Sequence, residues 1–321
     1  MLKKIGVVTS GGDAPGMNAA IRAVTRVACS KGLEVVGFER GWDGVITGTL
    51  RCLNPRNVGG ILHVGGTILR TSRSPEFRKP EGMKKAAETL AQNGIDGLVV
   101  IGGDGSLRGA LELSKHSNTL MVGVPATIDN DAYGTEETIG FDTAVNTAIG
   151  EIDKIRDTAN AHERIFVVEV MGRKSGFLAL TIGLTVGAEA ILLPEVPYTV
   201  ESIVNTLEVN RNKGKRSGII VAAEGIGDTH EIIKEIESVA GLEVRLSVIG
   251  YAQRGGNPTA RSRLLANLFG EKAVELLISN QGNRMVCLQN GKVSSMELQT
   301  VCCKQKQLDL SLMTLAQTLA T

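Results

Sequence analysis

Three turns rich in glycine and carboxylate hold the residues of this sequence that are best suited to chemistry. They are Ser10-Gly11-Gly12-Asp13, Gly102-Gly103-Asp104-Gly105-Ser106 and Thr127-Ile128-Asp129-Asn130-Asp131, and each follows a short apolar run. Glycines let backbone amides approach an anion, while carboxylates can bind magnesium or accept a proton. The three turns together predict a site for a phosphate-bearing ligand.

The second turn is a stronger signal than the first. Asp104 lies between glycines at the end of an apolar run, where a carboxylate costs stability unless a cation is near, and magnesium on nucleotide phosphates is the natural candidate. The alternative is that Asp104 caps the next helix. At Gly11 and Gly12 the glycines could equally serve tight packing, and neither a Walker A motif nor a Rossmann fingerprint is present.

The third turn places two carboxylates two residues apart. In an extended segment Asp129 and Asp131 would project together into a cleft. Adjacent carboxylates repel unless their roles differ, so one could accept a hydroxyl proton while the other helps to hold magnesium. The alternative is a solvated Asx turn, which is less natural directly after a buried strand.

Four arginines lie at or next to the edges of apolar runs: Arg164, Arg173, Arg245 and Arg254. Guanidinium groups bind phosphate through paired hydrogen bonds, so the set suggests a phosphorylated substrate. For any one of them a surface ion pair is an ordinary alternative.

The elements that position these turns form a repeating unit of apolar run, turn and helix. The predicted strands are residues 5–9, 98–101, 120–124, 165–170, 219–223 and 244–249, and helices follow at about 17–32, 107–114 and 144–157. This order predicts an α/β fold with mainly parallel sheets, whose ligands bind beyond the carboxyl ends of the strands. We expect those ends to hold nearly all of the glycines, carboxylates and arginines. Residues 285–288 and 292–294 flank an Asn-Gly pair, which predicts a hairpin at a sheet edge.

Composition limits the possible functions. The chain has 321 residues, 39 of them glycine, and its formal net charge of +1 gives no general attraction to nucleic acid or to an anionic membrane. No apolar segment approaches the roughly 20 residues that span a bilayer, and the apolar run after Lys4 is too short for a secretory signal. The five cysteines show no metal-binding or redox spacing. We expect a cytoplasmic protein with reduced thiols.

Taken together, the whole chain resembles the bacterial ATP-dependent 6-phosphofructokinases. The matching stretches are residues 5–20, 65–77, 94–106, 125–131, 152–164, 168–173, 222–225 and 253–259. The resemblance implies two lobes, each a mainly parallel sheet sandwiched by helices, with the active site in the cleft between them. It implies a larger ATP-binding lobe of residues 1–141 and 253–303, and a smaller lobe for fructose 6-phosphate of residues 142–252 and 304–321.

The resemblance also implies a reaction. The family transfers the terminal phosphoryl group of MgATP to the 1-hydroxyl of fructose 6-phosphate, which gives fructose 1,6-bisphosphate and ADP in the committed step of glycolysis. Asp129 matches the general base, Arg173 a residue beside the transferring phosphoryl group, and Asp104 the carboxylate linked to Mg²⁺, the expected cofactor. The further catalytic matches are Gly12, Thr127 and Asp131. The ATP contacts match Gly12, Arg73, Ser74, Gly102, Gly103, Asp104, Gly105 and Ser106.

Sugar phosphate and effector sites follow from the same resemblance, and the implied assembly is a homotetramer with shared active sites. The substrate contacts match Thr127, Asp129, Met171, Gly172, Arg173, Glu224, Tyr251 and Arg254, with Arg164 and Arg245 reaching the site from a neighbouring subunit. The family binds ADP or GDP as activator and phosphoenolpyruvate as inhibitor at a second site. That site matches Arg22, Arg26, Arg156, Glu189, Lys213 and Lys215.

Some positions depart from the family pattern. Tyr251 stands where a histidine usually contacts the sugar phosphate, and a phenol adds no positive charge. Ala126 and Phe177 replace a usual glycine and aspartate, and Gly60 lacks an acidic side chain that some relatives place near the effector site. Pyrophosphate-dependent relatives typically have an aspartate where Gly105 is and a lysine where Ala126 is, so this chain is expected to use ATP.

Two other functions remain open from the sequence. Lipid and NAD kinases also use a Gly-Gly-Asp-Gly turn, although the segment from Asp129 to Asp131 and the arginines after it argue against them. A catalytically silent nucleotide-binding subunit becomes attractive if Tyr251 abolishes sugar binding.

Overall fold

A computed structural model describes residues 2–320. They form two compact units, of which the first contains residues up to 143 together with 254–306, and the second contains residues 144–253 together with those from 307 onward. The boundaries expected from the sequence, after residues 141, 252 and 303, differ from these by three residues or fewer. Which ligand each unit binds remains a prediction.

The α/β character predicted from the sequence is confirmed. The strands are β1 Lys4–Ser10, β2 Glu34–Phe38, β3 Leu50–Leu53, β4 Gly97–Gly102, β5 Leu120–Thr127, β6 Ile139–Gly140, β7 Ile165–Val170, β8 Ala190–Leu192, β9 Gly218–Ala223, β10 Val244–Val248, β11 Arg284–Gln289 and β12 Lys292–Glu297. The helices are α1 Met17–Ser30, α2 Gly41–Thr47, α3 Pro80–Gln92, α4 Asp104–Ser114, α5 Phe141–His162, α6 Phe177–Val186, α7 Val200–Asn212, α8 Thr229–Ala240, α9 Ala260–Ile278, α10 Leu298–Cys303 and α11 Ser311–Leu319.

The sheet of the first unit has the order β12-β11-β5-β4-β1-β2-β3, with β6 beside β5. Its central strands are parallel, and the register pairs Ser10 with Gly102 and Gly102 with Pro125. The carboxyl ends of β1, β4 and β5 therefore lie at one edge of the sheet. The three turns singled out in the sequence follow these ends.

The sheet of the second unit has the order β10-β7-β9-β8, and all of its pairings are parallel. The register pairs Val170 with Ala223, so the turn that begins at Met171 lies beside Glu224. Val244 pairs with Ile165 at the other end of the strands. Arg164 and Arg245 therefore lie at the amino ends, away from the turn at Met171.

Helix periodicity explains the packing of the first unit, although the predicted helix bounds were too short in two places. Residues Met17, Ala20, Ile21, Val24 and Ala28 are buried along one face of α1. That face packs against α9, where a Cβ on Gly270 would lie 2.6 Å from the Cβ of Ala23, so glycine permits the close approach. The predicted helices at 107–114 and 144–157 begin earlier, at residues 104 and 141, and the second continues to residue 162.

The predicted hairpin is confirmed at the edge of the first sheet, where β11 and β12 pair antiparallel. Asn290 and Gly291 both have positive φ, 51° and 70°. Two left-handed residues in a row match the right-handed twist of the flanking strands, so the Asn-Gly signal was sufficient to place this turn.

The buried face of α9 provides a stability test. Phe269 is 0% exposed, whereas its neighbour Leu268 is 39% exposed on the same helix. We expect Phe269→Ala to lower the free energy of unfolding by about 3–5 kcal/mol, because it removes apolar burial and leaves a cavity. Urea denaturation measures the effect. Leu268→Ala is the control and should cost less than about 1 kcal/mol. Equal losses in the two variants would contradict the assignment of Phe269 to the core.

The cysteines are free thiols, as expected from their spacing. Cys287 and Cys302 are buried. Burial raises the pKa of Cys302 to about 11, so this thiol stays protonated at neutral pH. Within residues 2–320, no helix combines the length and the apolar character that a bilayer crossing requires.

Candidate active site

The first two turns contact each other through their backbones. A Cβ on Gly102 would lie 2.5 Å from the Ser10 carbonyl oxygen, and a Cβ on Gly11, whose φ is 89°, would lie 3.1 Å from Ser106 Oγ. The Ser106 hydroxyl donates to the Ser10 carbonyl at 2.8 Å. Neither glycine can carry a side chain without displacing its neighbours. The result is a fixed glycine-lined edge whose amides suit an anion.

Asp104 does not cap the helix, so that alternative is wrong. It is the first residue of α4, whose N-cap is Gly103. Its carboxylate Oδ2 accepts from Arg108 Nε at 2.8 Å, and Arg108 Nη1 donates to the Cys302 carbonyl at 2.6 Å. The cation beside Asp104 is thus a residue that our sequence analysis missed. Its spacing of four residues on a helix was the available signal.

The donor set fits a magnesium ion that arrives with a nucleotide. The Asp104 side chain is 34% exposed, so its carboxylate is accessible from solvent. Magnesium usually binds one or two carboxylates and completes its shell with substrate phosphates and water. Among residues 2–320, no cluster of three or more His, Cys, Asp or Glu side chains could hold a metal ion. Asp104 is the carboxylate of this turn that such an ion would contact.

The third turn is not extended, so our geometric reason for pairing Asp129 with Asp131 is wrong. Strand β5 ends at Thr127, and Asn130 is left-handed with φ 52°. Asn130 Nδ2 donates to the Glu136 carbonyl at 3.2 Å, and Asn130 Oδ1 accepts from the Thr138 amide at 3.1 Å. The amide side chain between the two aspartates therefore fixes the turn to residues 136–138.

Asp129 itself is buried, with 4% of the residue exposed. Its amide donates to Thr127 Oγ1 at 3.2 Å, and a Cβ on Gly103 would lie 3.3 Å from the Thr127 Cβ. The burial contradicts a solvated turn at this residue. Thr127 directly connects the turn at Asp129 with the turn at Asp104.

Lys306 is a second residue that our sequence analysis missed. Its Nζ donates to the Glu136 carbonyl at 3.0 Å, the same oxygen that accepts from Asn130. Burial lowers the pKa of Lys306 to about 8, and the charges of Asp131, Glu137 and Glu136 act in the opposite direction. No local pattern could reveal this lysine, because it is 170 residues away in sequence from Glu136, whose carbonyl it contacts.

The other residues predicted for the first unit differ in their environment. A Cβ on Gly12 would lie 3.2 Å from Arg254 Nη1, which brings this arginine to the first turn. Arg73 is exposed. Ser74 is buried, and its Oγ accepts from the Phe77 amide at 3.2 Å. The Ser74 hydroxyl therefore has a structural partner within the chain.

In the second unit, the turn after β7 is held by two side chains. The Arg173 amide donates to Glu224 Oε1 at 2.6 Å, and Arg173 has a left-handed φ of 57°. The Met171 amide donates to Gln253 Oε1 at 2.8 Å, and Gln253 is fully buried. Gln253 was also missed, since a glutamine far along the chain gives no signal. Tyr251, two residues before it, is 78% exposed.

Arg164 and Arg245 do not join this turn. We expected the carboxyl ends of the strands to hold nearly all of the arginines, and for these two that is wrong. Both pair with Glu243 at the amino ends of β7 and β10, where Arg164 Nε lies 3.1 Å from Glu243 Oε2. The two arginines therefore form a separate cationic group with Glu243.

The predicted effector residues lie in both units. In the first unit, Arg22 and Arg26 lie on α1, and Arg26 Nη2 donates to the Pro55 carbonyl at 3.2 Å. In the second unit, the buried Glu189 carboxylate pairs with Lys215. There Arg156 donates to the Val186 carbonyl, and Lys213 is the C-cap of α7.

Comparison with known proteins identifies relatives along the whole chain. A family model described as Phosphofructokinase matches residues 4–277. The ATP-dependent 6-phosphofructokinase of Halalkalibacterium halodurans is 49% identical over 319 residues, which cover 99% of this chain and 100% of the relative. The ATP-dependent 6-phosphofructokinase of Bacillus licheniformis is 50% identical with the same coverage.

Solved structures give the same fold. Pichia pastoris phosphofructokinase in the T-state superimposes with a TM-score of 0.90 at 36% identity, covering 99% of this chain and 36% of that chain. The pyrophosphate-dependent phosphofructokinase of Marinobacter aquaeolei superimposes with a TM-score of 0.85 at 22% identity, covering 97% and 86%, and is a likeness of fold alone. This chain therefore spans the full length of the bacterial relatives and about a third of the Pichia chain.

Proposed function

The chain belongs to the phosphofructokinase family, and we propose that it is a cytoplasmic ATP-dependent 6-phosphofructokinase of glycolysis. It would transfer the terminal phosphoryl group of ATP to the 1-hydroxyl of fructose 6-phosphate. One observation carries the proposal. Asp129 is buried on a turn that the Asn130 side chain holds to the Glu136 carbonyl, and this turn lies next to the glycine-lined turn at Asp104. A buried carboxylate beside an anion-binding edge suits proton abstraction during phosphoryl transfer.

ATP would bind at the carboxyl edge of the first unit's sheet. The amides of Gly11, Gly12 and the 102–106 turn would face the phosphates, and Asp104 would hold magnesium together with them. The bound magnesium would offset the charge of the phosphates. Arg73 is exposed and would contact the nucleotide. Ser74, whose hydroxyl oxygen accepts from the Phe77 amide, would contact it from the next position.

Asp129 would take the proton of the sugar 1-hydroxyl as that oxygen attacks the terminal phosphorus. The oxygen–phosphorus bond forms while the bond to the ADP oxygen breaks, and the proton passes to the carboxylate. Thr127 accepts from the Asp129 amide and Asn130 donates to the Glu136 carbonyl, so the two side chains hold the backbone of the turn that carries this carboxylate. Arg173 would offset the negative charge on the transferring group.

Fructose 6-phosphate would contact Met171, Gly172, Arg173 and Glu224 in the second unit. Glu224 also holds the Arg173 amide, so one carboxylate would orient the arginine and meet the sugar. Arg254 and Tyr251 would contact the 6-phosphate. Arg164 and Arg245 lie at the opposite ends of the strands, which supports their serving a neighbouring subunit in a homotetramer.

Effectors would bind at a second site, with ADP or GDP activating and phosphoenolpyruvate inhibiting. The basic side chains Arg22, Arg26, Arg156, Lys213 and Lys215 would bind their phosphates. The buried Glu189 carboxylate, which pairs with the exposed Lys215, supports a site in the second unit that is sensitive to added charge.

The space around Gly105 bears on whether ATP or pyrophosphate is the phosphoryl donor. A Cβ on Gly105 would meet nothing within 4 Å, so a larger residue could fit there. Pyrophosphate-dependent relatives typically have an aspartate at this position. With glycine here, the space that the aspartate side chain would fill is available to a nucleotide.

A coupled assay tests the proposal directly. We expect fructose 6-phosphate to be phosphorylated with MgATP at least about 100-fold faster than with magnesium pyrophosphate, and chelation of magnesium to abolish turnover. NAD and diacylglycerol serve as competing acceptors. Phosphorylation of either of these with no turnover of fructose 6-phosphate would contradict the proposal, as would the absence of any kinase activity.

A further inference from the structure

Two side chains hold the turn after β7, one at each end. The Met171 amide donates to Gln253 Oε1 at 2.8 Å, and the Arg173 amide donates to Glu224 Oε1 at 2.6 Å. All four residues belong to the second unit. Glu224 is also a proposed contact of the sugar, whereas Gln253 is not among the residues proposed to contact the sugar or the nucleotide.

The Met171 amide lies beyond the last residue pair of β10 and β7. Strand β10 ends at Val248, which pairs with Glu169, and the Ile249 amide then donates to the Glu169 carbonyl at 3.1 Å. Met171 carries the next amide on this side of β7, because alternate residues of a strand present their backbone groups to the same neighbour. The Gln253 side chain accepts from this amide and so continues the hydrogen bonding of the sheet past the end of β10.

The backbone of the turn needs support of this kind. Gly172 has a φ of 141° and Arg173 a φ of 57°, and a Cβ on Gly172 would lie 2.6 Å from the Ser175 carbonyl oxygen. A left-handed conformation at a residue other than glycine costs free energy and persists where the surrounding contacts fix it. Because the backbone limits which side-chain rotamers are allowed, the contacts that hold the turn also direct the Arg173 guanidinium.

Gln253 is the buried residue of the short 3₁₀ helix Gly250–Arg254. The orientation of its amide is fixed, because only the oxygen can accept from the Met171 N–H. Its Nε2 is buried without a hydrogen-bond partner among residues 2–320. An unpaired buried donor destabilises a fold, so stability alone does not explain an amide side chain here. The contact of its oxygen with Met171 does explain it.

We propose that Gln253 is a positioning residue for phosphoryl transfer: by accepting from the Met171 amide, it fixes the turn that directs Arg173 toward the transferring group. This inference rests on the proposed function, in which the Arg173 guanidinium offsets the charge of that group. Glu224 holds the other end of the same turn. The two side chains thus orient a catalytic group from outside, as the hydrogen-bond partners of metal ligands do.

Substitutions at Gln253 test the contact. Gln253→Met keeps the length of the side chain and removes the acceptor, and we expect kcat to fall about 10- to 100-fold while the KM for MgATP changes less than about twofold. Gln253→Glu keeps an oxygen for the Met171 amide in either protonation state and should retain a kcat at least about fivefold above that of the Met variant. The matched control, Ala252→Met, changes an exposed residue of the same short helix and should leave kcat within about twofold.

A double variant shows whether Gln253 acts through Arg173. With Arg173→Ala the guanidinium is gone, so adding Gln253→Met should lower kcat by less than about twofold further. A residue that only stabilises the fold would cause the same fractional loss in both backgrounds. Thermal unfolding checks that each variant folds. If Gln253→Met does not fold, Gln253→Asn takes its place, because its amide is one methylene shorter and withdraws the oxygen from Met171.

Three results would each overturn the inference: wild-type kcat in the folded Met or Asn variant, a Glu variant as poor as the Met variant, and losses that multiply when Arg173→Ala is combined with Gln253→Met. A wild type that does not phosphorylate fructose 6-phosphate would instead count against the proposed function.

Discussion

Replacing Asp129 with serine should lower kcat by about 10²- to 10⁴-fold while the KM for fructose 6-phosphate changes only modestly. The carboxylate is buried on a turn fixed by Thr127 and Asn130, so its removal takes away the proton acceptor without displacing the groups proposed to bind the sugar. Steady-state kinetics in the coupled assay measures both quantities.

Two companion variants make this result specific. Asp129→Asn keeps the shape of the side chain and removes its charge, and it should be impaired about as strongly as the serine variant. Asp153→Ser removes an exposed carboxylate from α5 and should leave kcat within about twofold. Wild-type turnover in either Asp129 variant would remove Asp129 from the role of base.

Replacing Arg173 with alanine should lower kcat by about 10²- to 10³-fold, since the guanidinium is proposed to offset the charge that develops on the transferring phosphoryl group. The Arg173 amide donates to Glu224, and this backbone contact does not depend on the side chain. The turn should therefore survive the substitution. Kinetics of the purified variant, with thermal unfolding as a check on folding, gives the measurement.

The neighbouring Lys174 provides the matched control. Both side chains are exposed and cationic, and they are adjacent in sequence. Lys174→Ala should retain kcat within about twofold. Equal losses of kcat in the two variants would mean that catalysis depends on the total positive charge of this segment and not on the position of the Arg173 guanidinium.

The sheets and the three turns could be predicted from the sequence because their signals are local. Short apolar runs followed by glycine and carboxylate give parallel strands, and parallel strands bring their carboxyl ends to one edge. The same rule places Asp104 and Asp129 close together without further information. Asn290 and Gly291 fixed the edge hairpin by their backbone preference alone.

What the sequence could not supply were contacts between distant residues. Lys306 reaches the Glu136 carbonyl, and Gln253 reaches the Met171 amide, across long stretches of chain with no periodic pattern between them. The left-handed Asn130 changed the direction of the chain within the third turn, and a strand rule could not foresee that change. Arg164 is a different case. It directly precedes β7, so the sequence alone places it at the amino end of that strand, and our expectation of the carboxyl end was wrong.

The most direct test of the account is a crystal structure with fructose 6-phosphate and a magnesium complex of a non-hydrolysable ATP analogue. We expect a carboxylate oxygen of Asp129 within about 3.2 Å of the sugar 1-hydroxyl, with that hydroxyl in line with the terminal phosphorus. An Asp129 carboxylate that points to bulk water, with no sugar oxygen within reach, would contradict the central claim.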